Sequence, residues 1–290
     1  MRVLQRAVVT LTQWTDKGEP NIVKSRKGVD VVEGLFRLAS GVTLTEETIA
    51  GLPARRYSSG GRTPGVVLHL HGGAYYCGTS KMGRCYSRVV ADGGPDMVSL
   101  DYRLAPEHPY PAALDDALAA YEALLTPGPV VVMGDSAGGG LALALVQRLR
   151  DEGKRLPVAL APFFPWSDLT QSSESYNRTA GHDMMTKRGG GWAAGLYATG
   201  QELRTPGISP LFGSFVDFPP TLITVGTGDA LLDEAREVTA KLTEAGADVT
   251  LRETPGGIHG FTTIPSPEAR AAIVHASLFI REHLHRADLD

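Results

Sequence analysis

VVMGDSAGGG, residues 131–140, sets one serine among glycines, behind an apolar run and ahead of a segment of helical period. The run starts one residue earlier, as VVVMG (130–134), and its unbroken apolar character fits a strand buried on both faces. The AGGGLALALVQRL that follows has the spacing of a helix. Strand, sharp turn, helix is the setting in which a G-x-S-x-G serine is held with its hydroxyl exposed. An ordinary βα turn with Ser136 as an N-cap fits the same letters, so the rest of the chain has to decide.

Outward from this stretch the same alternation repeats. GVVLHLH (65–71), MVSLD (97–101), VALAPFF (158–164) and TLITVG (221–226) read as strands, with helices predicted at 111–125, 137–151, 231–245 and about 267–285. That order predicts an α/β fold, a parallel sheet covered on both faces. Extended segments at about 42–48 and 53–58, joined at Ala50-Gly51, predict an antiparallel start to the sheet. Two regions fall outside the pattern. The first forty residues read as one or two amphipathic helices, with Val3, Leu4, Val8, Val9 and Leu11, then Val31, Val32, Leu35 and Phe36 as their apolar positions. The segment from about 168 to 210 is long for a connection between strands, rich in Gly, Met and polar residues, with helix near 184–199. The expectation is one domain over 1–290, with residues of about 1–40 and 168–210 forming a cap at the sheet's carboxyl edge, where open α/β sheets bind ligands.

Composition narrows the function classes. A 290-residue chain that is 42% hydrophobic and 21% charged can bury a sizeable core, and its net charge of −4 is spread without a basic cluster. Nucleic acid and anionic membrane surfaces are therefore not expected partners; a small molecule is. The opening MRVLQRAVVTLTQWTDKGEP is broken by Arg6, Gln13 and Asp16, and no later run approaches the roughly 18 apolar residues of a membrane span, so a cytoplasmic location is expected. Cys77 and Cys85 form no C-x-x-C pair and read as reduced bystanders. No H-E-x-x-H spacing occurs, and no metal is expected.

Serine is a weak nucleophile near neutral pH and needs a base, which in turn needs an orienting acid. Five histidines follow Ser136. His182 falls in the cap segment, and His275, His283 and His285 fit solvated positions on the last helix. His259 lies in PGGIHGF, on a glycine-flanked loop after the strand-like ADVTLRE, which makes it the candidate base. For the acid, TLITVG leads into TGDALLDE; Asp229 occupies the loop, while Asp233 and Glu234 fall in a first helical turn that favours carboxylates for its own dipole. One αβ unit fits between Asp229 and His259, bringing both loops to the edge that carries Ser136. Upstream, His71-Gly72-Gly73-Ala74 leaves a strand where backbone N–H groups of Gly72 and Gly73 can join that of Ala137 as an oxyanion hole; a tight strand exit is the plainer alternative. The proline-rich stretch 102–109 reads as a rigid loop whose charged groups pin the elbow and oxyanion segments, and Asp135 as a loop anchor or acyl-pocket wall.

HGGA, DYRLAPEHPYPAALDD, GDSAGG, GDALLDE and GIHGF, in that order, resemble the hormone-sensitive-lipase-like esterases of the α/β-hydrolase superfamily. The resemblance runs from about residue 42 to the end. It implies an eight-stranded, mostly parallel sheet with a helical cap, and cofactor-free hydrolysis of short- to medium-chain acyl esters. By motif it makes Ser136 the nucleophile, His259 the base, Asp229 the orienting acid, and Gly72, Gly73 and Ala137 the oxyanion donors; it also admits a homodimer through an edge strand. Ala74 departs from the family's HGGG, and its methyl group narrows the alcohol side of the pocket. Hydrolysis of a small amide or N-acetyl group would use the same residues. A ligand receptor on this fold would be expected to lack a triad member, and a phosphate loop would need the GK[ST] that is missing after GDSAGGG.

Overall fold

The computed structural model describes residues 21–61, 63–126 and 128–289. Helix α1 (Ile22–Leu35) precedes a hairpin of β1 (Thr43–Ile49) and β2 (Leu52–Ser58). Strands and helices then alternate as β3 (Val66–Leu70), the short α2 (Gly83–Tyr86), β4 (Asp96–Leu100), α3 (Ala112–Leu124), β5 (Val130–Asp135), α4 (Ala137–Asp151) and β6 (Ala159–Phe163). After β6 come the short α5 (Ser175–Arg178), α6 (Lys187–Ala198), β7 (Thr221–Gly226), α7 (Leu232–Glu244), β8 (Val249–Thr254) and α8 (Pro267–Ala287). The eight strands form one sheet in the order β1-β2-β4-β3-β5-β6-β7-β8, antiparallel at β1/β2 and β2/β4 and parallel elsewhere. This is the eight-stranded, mostly parallel sheet expected.

Burial explains the strand patterns. Every residue of β3, β5, β6 and β7 is buried, because helices cover both faces, and these strands carry the continuous apolar runs. Outermost β8 has only half-buried and exposed positions, which is why VTLRET reads half polar. Register places the site. Leu70 pairs with Gly134, Asp135 with Phe163, Phe163 with Thr224 and Gly226 with Thr254, so β3, β5, β6, β7 and β8 end at one level. The loops that follow them, carrying Gly72, Ser136, Phe164, Asp229 and His259, emerge at the same edge.

The N-terminal helix differs from its reading. Val3, Leu4, Val8, Val9 and Leu11 lie outside the described residues. In α1, Val31 and Val32 are 63% and 53% exposed, while Glu33 is buried. The docking face is polar: Arg26, Asp30 and Glu33, spaced i, i+4, i+7, turn inward together. Arg26 donates through Nε to the Tyr76 carbonyl and through Nη2 to the Ala105 carbonyl, both at 2.8 Å, and also pairs with Glu107; Asp30 pairs with Lys81. Glu33 accepts from Thr79 Oγ1 (2.6 Å) and N (3.3 Å), and burial pushes its carboxyl up to about 7. Apolar periodicity could not reveal a helix anchored by hydrogen bonds to loop carbonyls. Tyr76, held at its carbonyl by α1, meets Trp192 of α6 edge to face at 5.0 Å, which links the two irregular regions.

At the other end, Ser266 caps α8 by accepting from Ala269 N at 3.0 Å, with Pro267 in the first turn. His275 and His285 are exposed, as expected, but His283 is buried against Phe279, ring centroids 4.4 Å apart, and burial lowers its pKa. It falls on the inward face of α8 with Ile280 and Leu284.

Candidate active site

Ser136 stands between β5 and α4 at φ 54° and ψ −120°, a strained backbone for any residue but glycine. Neighbouring segments impose it: Ser136 N donates to the Phe163 carbonyl (3.0 Å), and its own carbonyl accepts from Gly140 N (3.0 Å) and Trp166 N (2.9 Å). The two glycines of G-x-S-x-G are there for space. A Cβ on Gly134 would overlap the Gly138 carbonyl, and one on Gly138 would overlap the carbonyls of Leu70 and His71. The Ser136 side chain makes no capping bond to α4. Its Oγ lies 2.8 Å from His259 Nε2 instead, which excludes the N-cap reading.

The loop after β8 carries His259 and is laced to the loop after β7, where Gly228 N donates to the Gly257 carbonyl (2.8 Å) and Thr227 N to the Thr254 carbonyl (2.9 Å). Asp229 is fully buried, accepts from Leu231 N at 2.8 Å and meets His259 Nδ1 with both oxygens, at 3.1 and 3.3 Å. The Phe164 ring stands edge-on to the imidazole, centroids 5.1 Å apart. Burial works against a cation on His259, but the charge and hydrogen bond of Asp229, with the charges of Asp183 and Asp135, outweigh it and raise its pKa above the ordinary value. Asp233 and Glu234 are elsewhere. They hold the segment after β6: Asp233 accepts from Ser175 N (2.9 Å) and pairs with Arg178, and Glu234 accepts from Ser167 N and Asp168 N at 2.9 and 3.0 Å.

Opposite the serine, the HGGA backbone is fixed through its carbonyls. The Tyr102 hydroxyl donates to the His71 carbonyl (2.7 Å), and His71 Nδ1–H to the Gly72 carbonyl (2.7 Å). In a trans peptide the next N–H points the opposite way, so these two bonds also orient the N–H groups of Gly72 and Gly73. His71 is buried, stacked on Tyr102 at 4.2 Å, and burial lowers its pKa, which keeps it the neutral donor this requires. Ala137 N–H opens α4, where the first amides have no intrahelical acceptor. Asp135 Oδ1 lies 3.2 Å from His69 Nε2, anchoring the elbow from below. In the 102–109 stretch, Arg103 braces α3 through Asp116 rather than the elbow, and the uncharged Tyr102 holds the HGGA segment.

Ala74 adopts φ 51°, the left-handed region that costs a residue with a Cβ about 1–2 kcal/mol. Ala74→Gly removes that strain, and the greater freedom of glycine in the unfolded chain cancels part of the gain. A rise of about 2 °C in the thermal midpoint is expected. A fall measured by differential scanning calorimetry would show that the methyl group packs usefully there.

One residue at the site escaped the sequence reading. Asp183, buried, reaches His259 and the Asp229 loop from the segment between β6 and β7. It carries no signal beyond a carboxylate in a polar stretch, and its partner His259 is 76 positions away.

With this geometry in view, comparisons with known proteins converge. A family profile described as α/β-hydrolase fold matches residues 67–263. An acetyl-hydrolase of Streptomyces hygroscopicus is 39% identical over 237 residues, covering 79% of this chain and 77% of that one. An esterase of Acinetobacter venetianus is 30% identical over 263 residues, 88% and 87% of the two chains. The crystal structure of an esterase from the bacterial hormone-sensitive lipase family superposes with a TM-score of 0.89 at 31% identity, covering 97% of this chain and 98% of that one.

Proposed function

Because the chain belongs to the α/β-hydrolase family, in its bacterial hormone-sensitive-lipase branch, it is an ester hydrolase acting on small-molecule esters, and we propose that Ser136, His259 and Asp229 are its catalytic triad. Ser136 Oγ attacks the ester carbonyl while its proton passes to His259 Nε2, 2.8 Å away. The N–H groups of Gly72, Gly73 and Ala137 receive the oxyanion. The alcohol leaves with the proton from Nε2, and water, activated by the same nitrogen, releases the acid from the acyl-enzyme. Asp229 keeps the other imidazole proton on Nδ1 and balances the transient cation.

The unbroken chain from Oγ to imidazole to carboxylate, ending in a serine held at positive φ, carries this reading. We assign short- to medium-chain acyl groups as substrates, with residues 21–40 and 168–210 as the described part of a cap over the site. The Ala74 methyl group then borders the alcohol side. The acetyl-hydrolase name of the Streptomyces relative favours the smallest acyl groups, and for an acetyl amide the same residues would serve. Two free thiols support a cytoplasmic location, and the sheet offers β1 and β8 as the edge strands through which a homodimer would form. No described helix is long and apolar enough to cross a membrane.

The test is active-site labelling beside a chain-length series of p-nitrophenyl esters from acetate to dodecanoate. One equivalent of an alkyl phosphonate is expected to modify Ser136, identified by peptide mass, and to abolish turnover of every ester in parallel. Label on another residue, or activity surviving full labelling, overturns the assignment.

A further inference from the structure

The segment between β6 and β7 does more than pass over the site. Asp183 is 1% exposed and accepts three backbone hydrogen bonds, from His259 N (2.7 Å) and Met184 N (2.7 Å) at Oδ1 and from Ala230 N (2.6 Å) at Oδ2. Two of those donors belong to the loops that must stay in register for a triad to exist: His259 itself, and Ala230, which follows Asp229. The adjoining Met184 reinforces the contact, packing with Ile258 and Ile264 on either side of His259 and reaching Gly260, where there is no Cβ to obstruct it.

We propose that Asp183 is a positioning residue for the base: one carboxylate, delivered by the segment between β6 and β7, that fixes the His259 loop against the Asp229 loop and places a second negative charge beside the imidazole. The inference rests on the triad assignment above. Its geometry is that of a clamp, since each carboxylate oxygen holds a different loop and the holder comes from a third. Removing the clamp lets His259 drift relative to both Ser136 and Asp229, and displacements of about 1 Å are enough to cost about a hundredfold in rate.

The charge has its own consequence. The ionisable groups facing Asp183 are Asp229 and His259, with Asp135 a further carboxylate acting on the imidazole, while neighbouring His182 is exposed. Burial, then the charge of Asp229, push the Asp183 carboxyl up, and His259 with the N–H donors oppose that shift. An ionised Asp183 stabilises imidazolium. Removing the negative charge lowers the His259 pKa, so the acidic limb of kcat/KM moves to lower pH although the plateau falls.

Asp183→Asn tests both parts. An amide offers one acceptor oxygen, so its NH₂ must face either His259 N–H or Ala230 N–H, donor against donor. Asp183→Ser, which keeps a small hydrogen-bonding group without charge, is the second variant. With p-nitrophenyl butyrate, kcat is expected to fall about 10- to 100-fold in each, with KM changed less than about twofold and the acidic limb about one pH unit lower. Wild-type kcat in folded variants, or a lower kcat with an unmoved limb, overturns the proposal, as does failure of both variants to fold, which would make Asp183 a folding element only. His259→Ala in the same assay separates the two assignments. If it is inactive while Asp183→Asn matches wild type, this inference alone fails; if it stays active, the triad assignment falls and the clamp with it.

Discussion

Ser136→Ala is expected to lower turnover of p-nitrophenyl butyrate at least about a thousandfold, equivalent to about 4 kcal/mol or more of lost transition-state stabilisation. The substitution removes the one oxygen that lies 2.8 Å from His259 Nε2 and leaves the amides proposed to bind the oxyanion in place, so a small residual rate from binding and orientation should survive. The fold should not suffer. Ser136 Oγ makes no capping bond to α4, and alanine must occupy the same φ 54° backbone at about the same cost. Ser136→Gly separates strain from chemistry: it should be equally inactive yet up to about 1 kcal/mol more stable than Ser136→Ala, because only glycine occupies that conformation without penalty, while its greater freedom in the unfolded chain cancels part of the gain. Urea unfolding of the two inactive variants measures the difference. Equal stabilities would show that the elbow stores no strain, and substantial activity in either would remove Ser136 from the mechanism.

The parts of this molecule that are legible in its sequence are those in which one physical demand dominates a short run of residues. VVVMG reads as a central strand because a strand buried on both faces has no polar position to spare, and β5 indeed spans Val130–Asp135. Likewise, α4 occupies the predicted 137–151. The glycines flanking Ser136 mark places where another backbone passes at contact distance. Ser136, His259 and Asp229 were each visible as a polar residue on a loop at a strand end, and strand register then carries those loops to one edge. What stayed hidden depends on long-range polar pairing. Asp183 and Glu234 are buried carboxylates that accept from amides of distant loops, which leave no periodic trace. For α1 the apolar pattern misled, since Val31 and Val32 face outward while Arg26, Asp30 and Glu33 dock.

Asp229→Asn has the second-largest expected effect, and its logic is tautomeric. Leu231 N donates to Asp229 Oδ1 at 2.8 Å, so an asparagine must put its oxygen there and its NH₂ at the Oδ2 position, 3.3 Å from His259 Nδ1. That NH₂ is a donor competing for Nδ1 with the amide oxygen, which stays 3.1 Å away and already accepts from Leu231 N; where Nδ1 accepts from the NH₂, the imidazole proton moves to Nε2. Nε2–H then faces Ser136 Oγ and has no lone pair with which to take its proton. A loss of about 10³- to 10⁴-fold in kcat is expected, with KM little altered. The imidazolium also loses its nearest counter-charge, so the His259 pKa falls and the acidic limb of kcat/KM moves to lower pH, in the same direction as for Asp183→Asn and further. The paired pH profiles therefore rank the two carboxylates. If Asp229→Asn kept activity within about tenfold of wild type while Asp183→Asn lost far more, Asp183 would be the principal partner of the base. The hydrogen bonds argue for the opposite order, because Asp229 reaches the imidazole ring itself and Asp183 only the main chain that carries it.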